Sequence, residues 1–138
     1  MTKLIILGTA VLLATSLWSG VTFAECGKVP TTLTQCKTCH ALEVGKPSRA
    51  TGPSLVGVID RKAGELADFK GYSEAMKAAR EKGLIWTEDN IFNYLADPKS
   101  FLNAYNGQEL KNAMAFQLKD EAKRKAAIEG LKEVAACQ

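Results

Sequence analysis

The run Cys36-Lys37-Thr38-Cys39-His40 constrains this chain more than any other stretch. Two thiols three positions apart are followed at once by an imidazole, the pattern of a c-type haem attachment site. The thiols would form thioethers with two vinyl groups of the macrocycle. The imidazole beside the second bond would reach one face of the iron. His40 is the only histidine in the sequence, so every role that needs imidazole falls to it. Such a chain is expected to fold around a covalent haem, with side chains completing the core.

Rival readings of the two thiols lack their usual company. A zinc ribbon needs a second close cysteine pair, and the remaining cysteines, Cys26 and Cys137, stand alone. A thioredoxin-like site expects a surrounding βαβ pattern, and no strand-like alternation stands out.

The N-terminus places the motif in a compartment. Residues 1–24 read as a cleaved secretory signal peptide: Lys3 opens it, residues 4–17 are largely apolar, and Thr22-Phe23-Ala24 resembles a small-x-small cleavage site. The apolar run is too short for a membrane span. Residues 25–138 then form a single domain exported to the periplasm, where c-type haem attachment takes place in bacteria. Losing Lys3 lowers the formal net charge of +3 by one, a balance too mild for a nucleic-acid binder. A domain this small buries a modest core alone, and a macrocycle would supply the missing apolar centre.

Along the chain, residues 30–35 suit a short helix, capped by Thr31 or Thr32, with Leu33 its large apolar residue. Residues 41–71 are loop-like, with Gly45, Pro47, Gly52, Pro53, Gly57, Gly64 and Gly71. So long an irregular stretch is expected to wrap something. Ser73 caps a predicted helix that ends before Gly83, with Ala75, Met76 and Ala79 on one face. Thr87 caps the next; Ile91, Tyr94 and Leu95 follow the helical period, and Pro98 ends it. Residues 99–119 read as a second polar loop containing Met114. A last helix starts near Asp120, with Ile128, Leu131 and Ala135 buried and Lys123, Arg124, Lys125 and Lys132 wet. The iron's second ligand must come from elsewhere in the chain. A soft thioether suits it, and past the signal segment only Met76 and Met114 offer one.

With these pieces in order, the sequence resembles the class I cytochromes c, nearest the bacterial cytochrome c2 group and its mitochondrial relatives. Beyond C-K-T-C-H, the match rests on Thr51-Gly52-Pro53-Ser54-Leu55-Val56-Gly57, Arg61-Lys62-Ala63-Gly64, and Phe69 with Tyr72-Ser73-Glu74-Ala75-Met76. It continues through Trp86-Thr87-Glu88-Asp89-Asn90-Ile91-Phe92-Asn93-Tyr94-Leu95, Asp97-Pro98-Lys99 and Lys111-Asn112-Ala113-Met114-Ala115-Phe116. The resemblance implies an all-α fold of about four to five helices, wrapped with long loops around one haem c held by Cys36 and Cys39. It implies His40 and Met114 as iron ligands, with the Pro53 carbonyl accepting from His40. It implies a Tyr94 hydrogen bond near the Met114 sulfur, propionate contacts from Arg61, Tyr72 and Trp86, and haem packing by Leu55, Leu95 and Phe116.

The sequence departs from that family at several points. Residues 103–113 approach Met114 by a longer route without proline, which predicts a less rigid loop. Gly130 stands where relatives carry an aromatic on the last helix, and Pro30 interrupts a shortened first helix. The contact between the terminal helices is therefore expected to be altered. Cys26 and Cys137, at the two ends of the mature chain, are expected to form a disulfide in an oxidising compartment.

The function the resemblance implies is single-electron carriage between redox proteins, without bond chemistry and so without enzymatic activity. Lys37, Lys46, Lys99, Lys111 and Lys119 would ring an exposed haem edge and steer acidic partners. A haem subunit dedicated to one dehydrogenase or oxidase complex is the alternative. A gas or peroxide sensor or enzyme, in which Met114 yields its place, is a third. No nucleic-acid partner and no stable membrane insertion are expected.

Overall fold

The computed structural model describes residues 26–138 of the chain; the predicted signal peptide lies outside them. Among the described residues, four α-helices follow two single-turn 3₁₀ segments, Thr31–Leu33 and Cys36–Thr38. Among the described residues, β-structure is limited to two isolated bridges, Arg49 with Gly52 and Lys62 with Ile85.

Helix α1 spans Glu74–Glu81 and α2 spans Glu88–Ala96. Each begins where a hydroxyl can satisfy a free backbone donor. Ser73 Oγ accepts from the Met76 N–H at 3.2 Å, and Thr87 Oγ1 from the Asn90 N–H at 3.2 Å. Ala75 and Ala79 turn inward from α1, and Ile91, Tyr94 and Leu95 from α2.

The stretch expected to be a polar loop holds a helix. α3 covers Pro98–Asn106. Its caps are local: the Asp97 carboxylate accepts from the Ser100 N–H at 3.0 Å, and Gly107 closes the C-terminus at φ 70°. Pro98 ends α2 because it lacks a donor, and begins α3 for the same reason: a first-turn residue needs none. Leu102 and Pro98 are fully buried. Within that stretch, residues 107–119 remain irregular.

Helix α4 runs Glu121–Ala135, with the Asp120 carboxylate accepting from the Lys123 N–H at 3.0 Å. Ile128 and Leu131 are buried as expected, while Val134, not Ala135, completes the stripe. Arg124 also departs from its expected wet position. Its guanidinium lies 4.3 Å from the centroid of the Phe92 ring, and Nη1 donates to the carbonyls of Leu118 (2.9 Å) and Lys119 (2.7 Å). An arginine stem can cover apolar surface while its fork satisfies carbonyls.

The helices pack as α1 on α3, α2 on α3 and α4, and the first 3₁₀ turn on α4. That turn is entered from Pro30, and neither Thr31 nor Thr32 caps it. The terminal contact is nonetheless made. A Cβ placed on Gly130 would stand 2.4 Å from Thr32 Oγ1 and 3.0 Å from Leu33 Cγ, and Leu33 is fully buried. The small residue sits on the last helix and the large one on the first turn.

Candidate functional site

The motif lies where the second 3₁₀ turn closes. The N–H groups of Cys39 and His40 both donate to the Cys36 carbonyl, at 3.1 and 2.9 Å. Neither motif thiol is in a disulfide. Cys36 is half-buried and packs against the core, and burial pushes its thiol up from the ordinary value. Cys39 is exposed.

His40 is the point where the long loop returns. Its Nδ1 lies 2.7 Å from the Pro53 carbonyl oxygen. A carbonyl can only accept, so Nδ1 carries the proton and Nε2 keeps its lone pair. Burial pulls the imidazole's pKa down, the Pro53 bond opposes this, and the Arg61 charge adds to the lowering. The neutral ring, which is the ligand form, is thereby favoured. Gly52 permits the approach: a Cβ there would come within 2.7 Å of His40 Cε1 and 2.8 Å of Nδ1. Thr51 Oγ1 fastens the same loop to the Cys39 carbonyl at 2.9 Å. Two unbridged thiols beside a neutral imidazole with an available Nε2 are the donor set that a covalent haem requires.

Met114 is half-buried and packs against the core cluster that also receives Cys36, Leu55 and Phe101. Its segment is pinned on both sides. The Ala75 N–H donates to the Lys111 carbonyl at 3.0 Å, and the Leu118 N–H to the Leu95 carbonyl at 2.7 Å. Asn112 Nδ2 donates to the Met114 carbonyl at 2.7 Å, and Asn103 Oδ1 accepts from the Leu110 N–H at 3.1 Å. Met114, Lys99 and Lys111 line one open cavity with Glu74 and Leu110. Met76, the other candidate, packs from α1 against the same core.

The remaining expected site residues divide. Trp86 and Tyr94 are buried side by side, ring centroids 4.8 Å apart, and Phe101 stands 5.8 Å from Tyr94. Among the described residues the Tyr94 hydroxyl makes no hydrogen bond to Met114, and burial pushes its phenol far above the usual range. Arg61 directs its fork at main-chain carbonyls: Nη2 to Ser54 at 2.7 Å and Nη1 to Val56 at 3.1 Å. The Tyr72 hydroxyl accepts from the Leu66 N–H at 3.2 Å. Leu95 is buried and Leu55 half-buried, but Phe116 is exposed. Cys26 and Cys137 meet as a disulfide pair, Cα atoms 5.5 Å apart. Ser48 and Asp68, both tied to the loop over His40, have no sequence signal that would have singled them out.

No protein-family model matches the chain. Individual proteins do. A cytochrome c2 of Cereibacter sphaeroides is 45% identical over 95 residues, covering 64% of this chain and 77% of that protein. A cytochrome c-551 of Roseobacter denitrificans is 39% identical over 120 residues, covering 80% of this chain and 84% of that protein. Among solved structures, cytochrome c2 from Rhodobacter sphaeroides superposes with a TM-score of 0.68 at 42% identity, over 75% of this chain and 90% of that one. Cytochrome c2 from Rhodospirillum centenum gives 0.68 at 37%, over 75% and 92%.

Proposed function

The chain belongs to the class I cytochromes c, in the cytochrome c2 group of electron carriers with covalent haem c, and we propose that it carries single electrons in the periplasm through a haem ligated by His40 and Met114. The haem, when bound, supplies a one-electron ferrous/ferric couple. Cys36 and Cys39 would tether it as thioethers. His40 would hold the iron through Nε2, with the Pro53 carbonyl fixing the ring plane and strengthening the imidazole as a donor. Met114 would supply a soft, neutral sulfur, which raises the reduction potential. Two side-chain ligands would leave no place for a substrate. That favours a carrier over an enzyme.

The observation that carries this reading is the 2.7 Å contact between His40 Nδ1 and the Pro53 carbonyl beside two unbridged motif thiols. The signal segment and the oxidising chemistry expected of Cys26 and Cys137 support export. No helix of the described residues is long and apolar enough to cross a membrane.

The decisive experiment is the visible spectrum of the Met114→Ala holoprotein. The weak long-wavelength ferric band of iron–sulfur ligation is expected to disappear and the potential to fall, with haem still covalently bound. An unchanged spectrum removes Met114 from the site.

Docking is assigned to the lysines. Lys37, Lys46, Lys99, Lys111 and Lys119 are all exposed, and Lys99 and Lys111 flank Met114. Such charges accelerate encounter with an acidic partner and are screened by salt over about 10 Å at 0.1 M. Stopped-flow electron exchange with an acidic redox protein is expected to slow steeply as ionic strength rises. A flat dependence contradicts the lysine edge.

A further inference from the structure

The peptide joining Pro53 to Ser54 is hydrogen-bonded at both ends. Its carbonyl accepts from His40 Nδ1 at 2.7 Å, and its N–H donates to Ser48 Oγ at 2.9 Å. The Ser48 hydroxyl donates in turn to Asp68 Oδ1 at 3.0 Å, and the Ser48 N–H donates to Asp68 Oδ2 at 2.7 Å. A carboxylate only accepts, so the hydroxyl proton is committed to Asp68 and the oxygen lone pair to Ser54. Imidazole, peptide, hydroxyl and carboxylate are thus in series, with every proton donated toward Asp68.

Same-direction chains polarise one another, and an ionised acceptor at the end strengthens each bond. The effect reaches His40 as added negative charge on the Pro53 oxygen, which makes the imidazole a stronger donor. Through-space action is weaker. Asp68 is exposed, and the Arg61 guanidinium, bonded to the Ser54 carbonyl, offsets its field. The Ser48 bonds are also what chiefly hold the Asp68 carboxyl below its usual range.

We propose that Asp68 is a positioning residue that tunes His40 from outside the haem site, through the Ser48 hydroxyl and the Pro53–Ser54 peptide. The proposal rests on His40 being an iron ligand.

The test uses the holoprotein, with reduction potential and the ferrous-state proton resonance of His40 Nδ1 as readouts. Ser48→Ala changes no charge, yet is expected to raise the potential and move the resonance upfield. Asp68→Asn is expected to do the same, and the double variant to go no further than the larger single change. Ser48→Thr keeps the hydroxyl and retains wild-type values. Glu65→Gln removes a carboxylate of the same loop outside the series. It is expected to shift the potential less than Asp68→Asn and to leave the resonance in place. An unmoved resonance in Ser48→Ala, or additive shifts in the double variant, overturns the relay. If Ser48→Ala does not fold, equal effects of Asp68→Asn and Glu65→Gln overturn it instead. A wild-type His40 ring without the strong ring-current shift of a haem ligand overturns the ligation reading itself.

Discussion

Burial sets the acid–base behaviour of Tyr94. The phenol is enclosed by Trp86 and Phe101, and its ionised form is disfavoured, so its pKa in the fold lies far above the ordinary value. In the unfolded chain the same group ionises near pH ~10. Below that pH both states hold the proton and the stability is fully present; above it only the unfolded state releases the proton, and stability is lost with rising pH. Tyr94→Phe removes that proton, so its alkaline loss of Tm is expected to be shallower than the wild type's, measured by circular dichroism from pH 8 to ~11. Parallel curves would place the phenol in water. The haem-attachment pattern of Cys36, Cys39 and His40 is legible in the sequence because it depends on spacing alone. The exposure of Phe116 and the bonds from Arg61 to the Ser54 and Val56 carbonyls follow from where the 48–61 loop and the Met114 segment run, and residue type does not encode that route.

Among elements, the terminal contact is made without the aromatic that relatives carry at the Gly130 position. Gly130 on α4 receives Thr32 and Leu33 of the first turn. Glycine costs about 1 kcal/mol of helix propensity relative to alanine. Overpacking a close contact costs about 1–3 kcal/mol, and Leu33 is fully buried and cannot withdraw. Gly130→Ala is therefore expected to lower stability by up to about 2 kcal/mol in guanidinium unfolding, and Gly130→Phe to lower it further. A stabilised alanine variant would mean that Thr32 and Leu33 yield freely. The helices begun by Ser73 and Thr87 were legible because their caps and periods are local. α3 was missed because its polar face and its opening proline imitate a loop; Leu102 becomes a core residue only once α1 and α2 are packed beside it.

At the scale of the molecule, the two ends of the described chain are held together by Cys26 and Cys137 across a separation of 111 residues. By the loop-entropy model, closing so long a loop removes unfolded-state freedom worth roughly 4–5 kcal/mol. Intact mass after alkylation, with and without reductant, is expected to differ by two added groups, and reduction to lower the Tm. Equal masses would leave the termini to be held by the packing of α4 on the first turn alone.

What is read directly from the chain is local: two thiols with an adjacent imidazole, and the caps that start helices. These are properties of neighbours in the chain, decided over a few bonds. The long-range pairings come from the fold: the Pro53–Ser54 peptide lies between His40 and Ser48, Asp68 closes that series, and Gly130 admits the close contact with Thr32 and Leu33. Those pairings join residues far apart in the chain. Their formation depends on burial and closure summed over the whole fold, which no local pattern records.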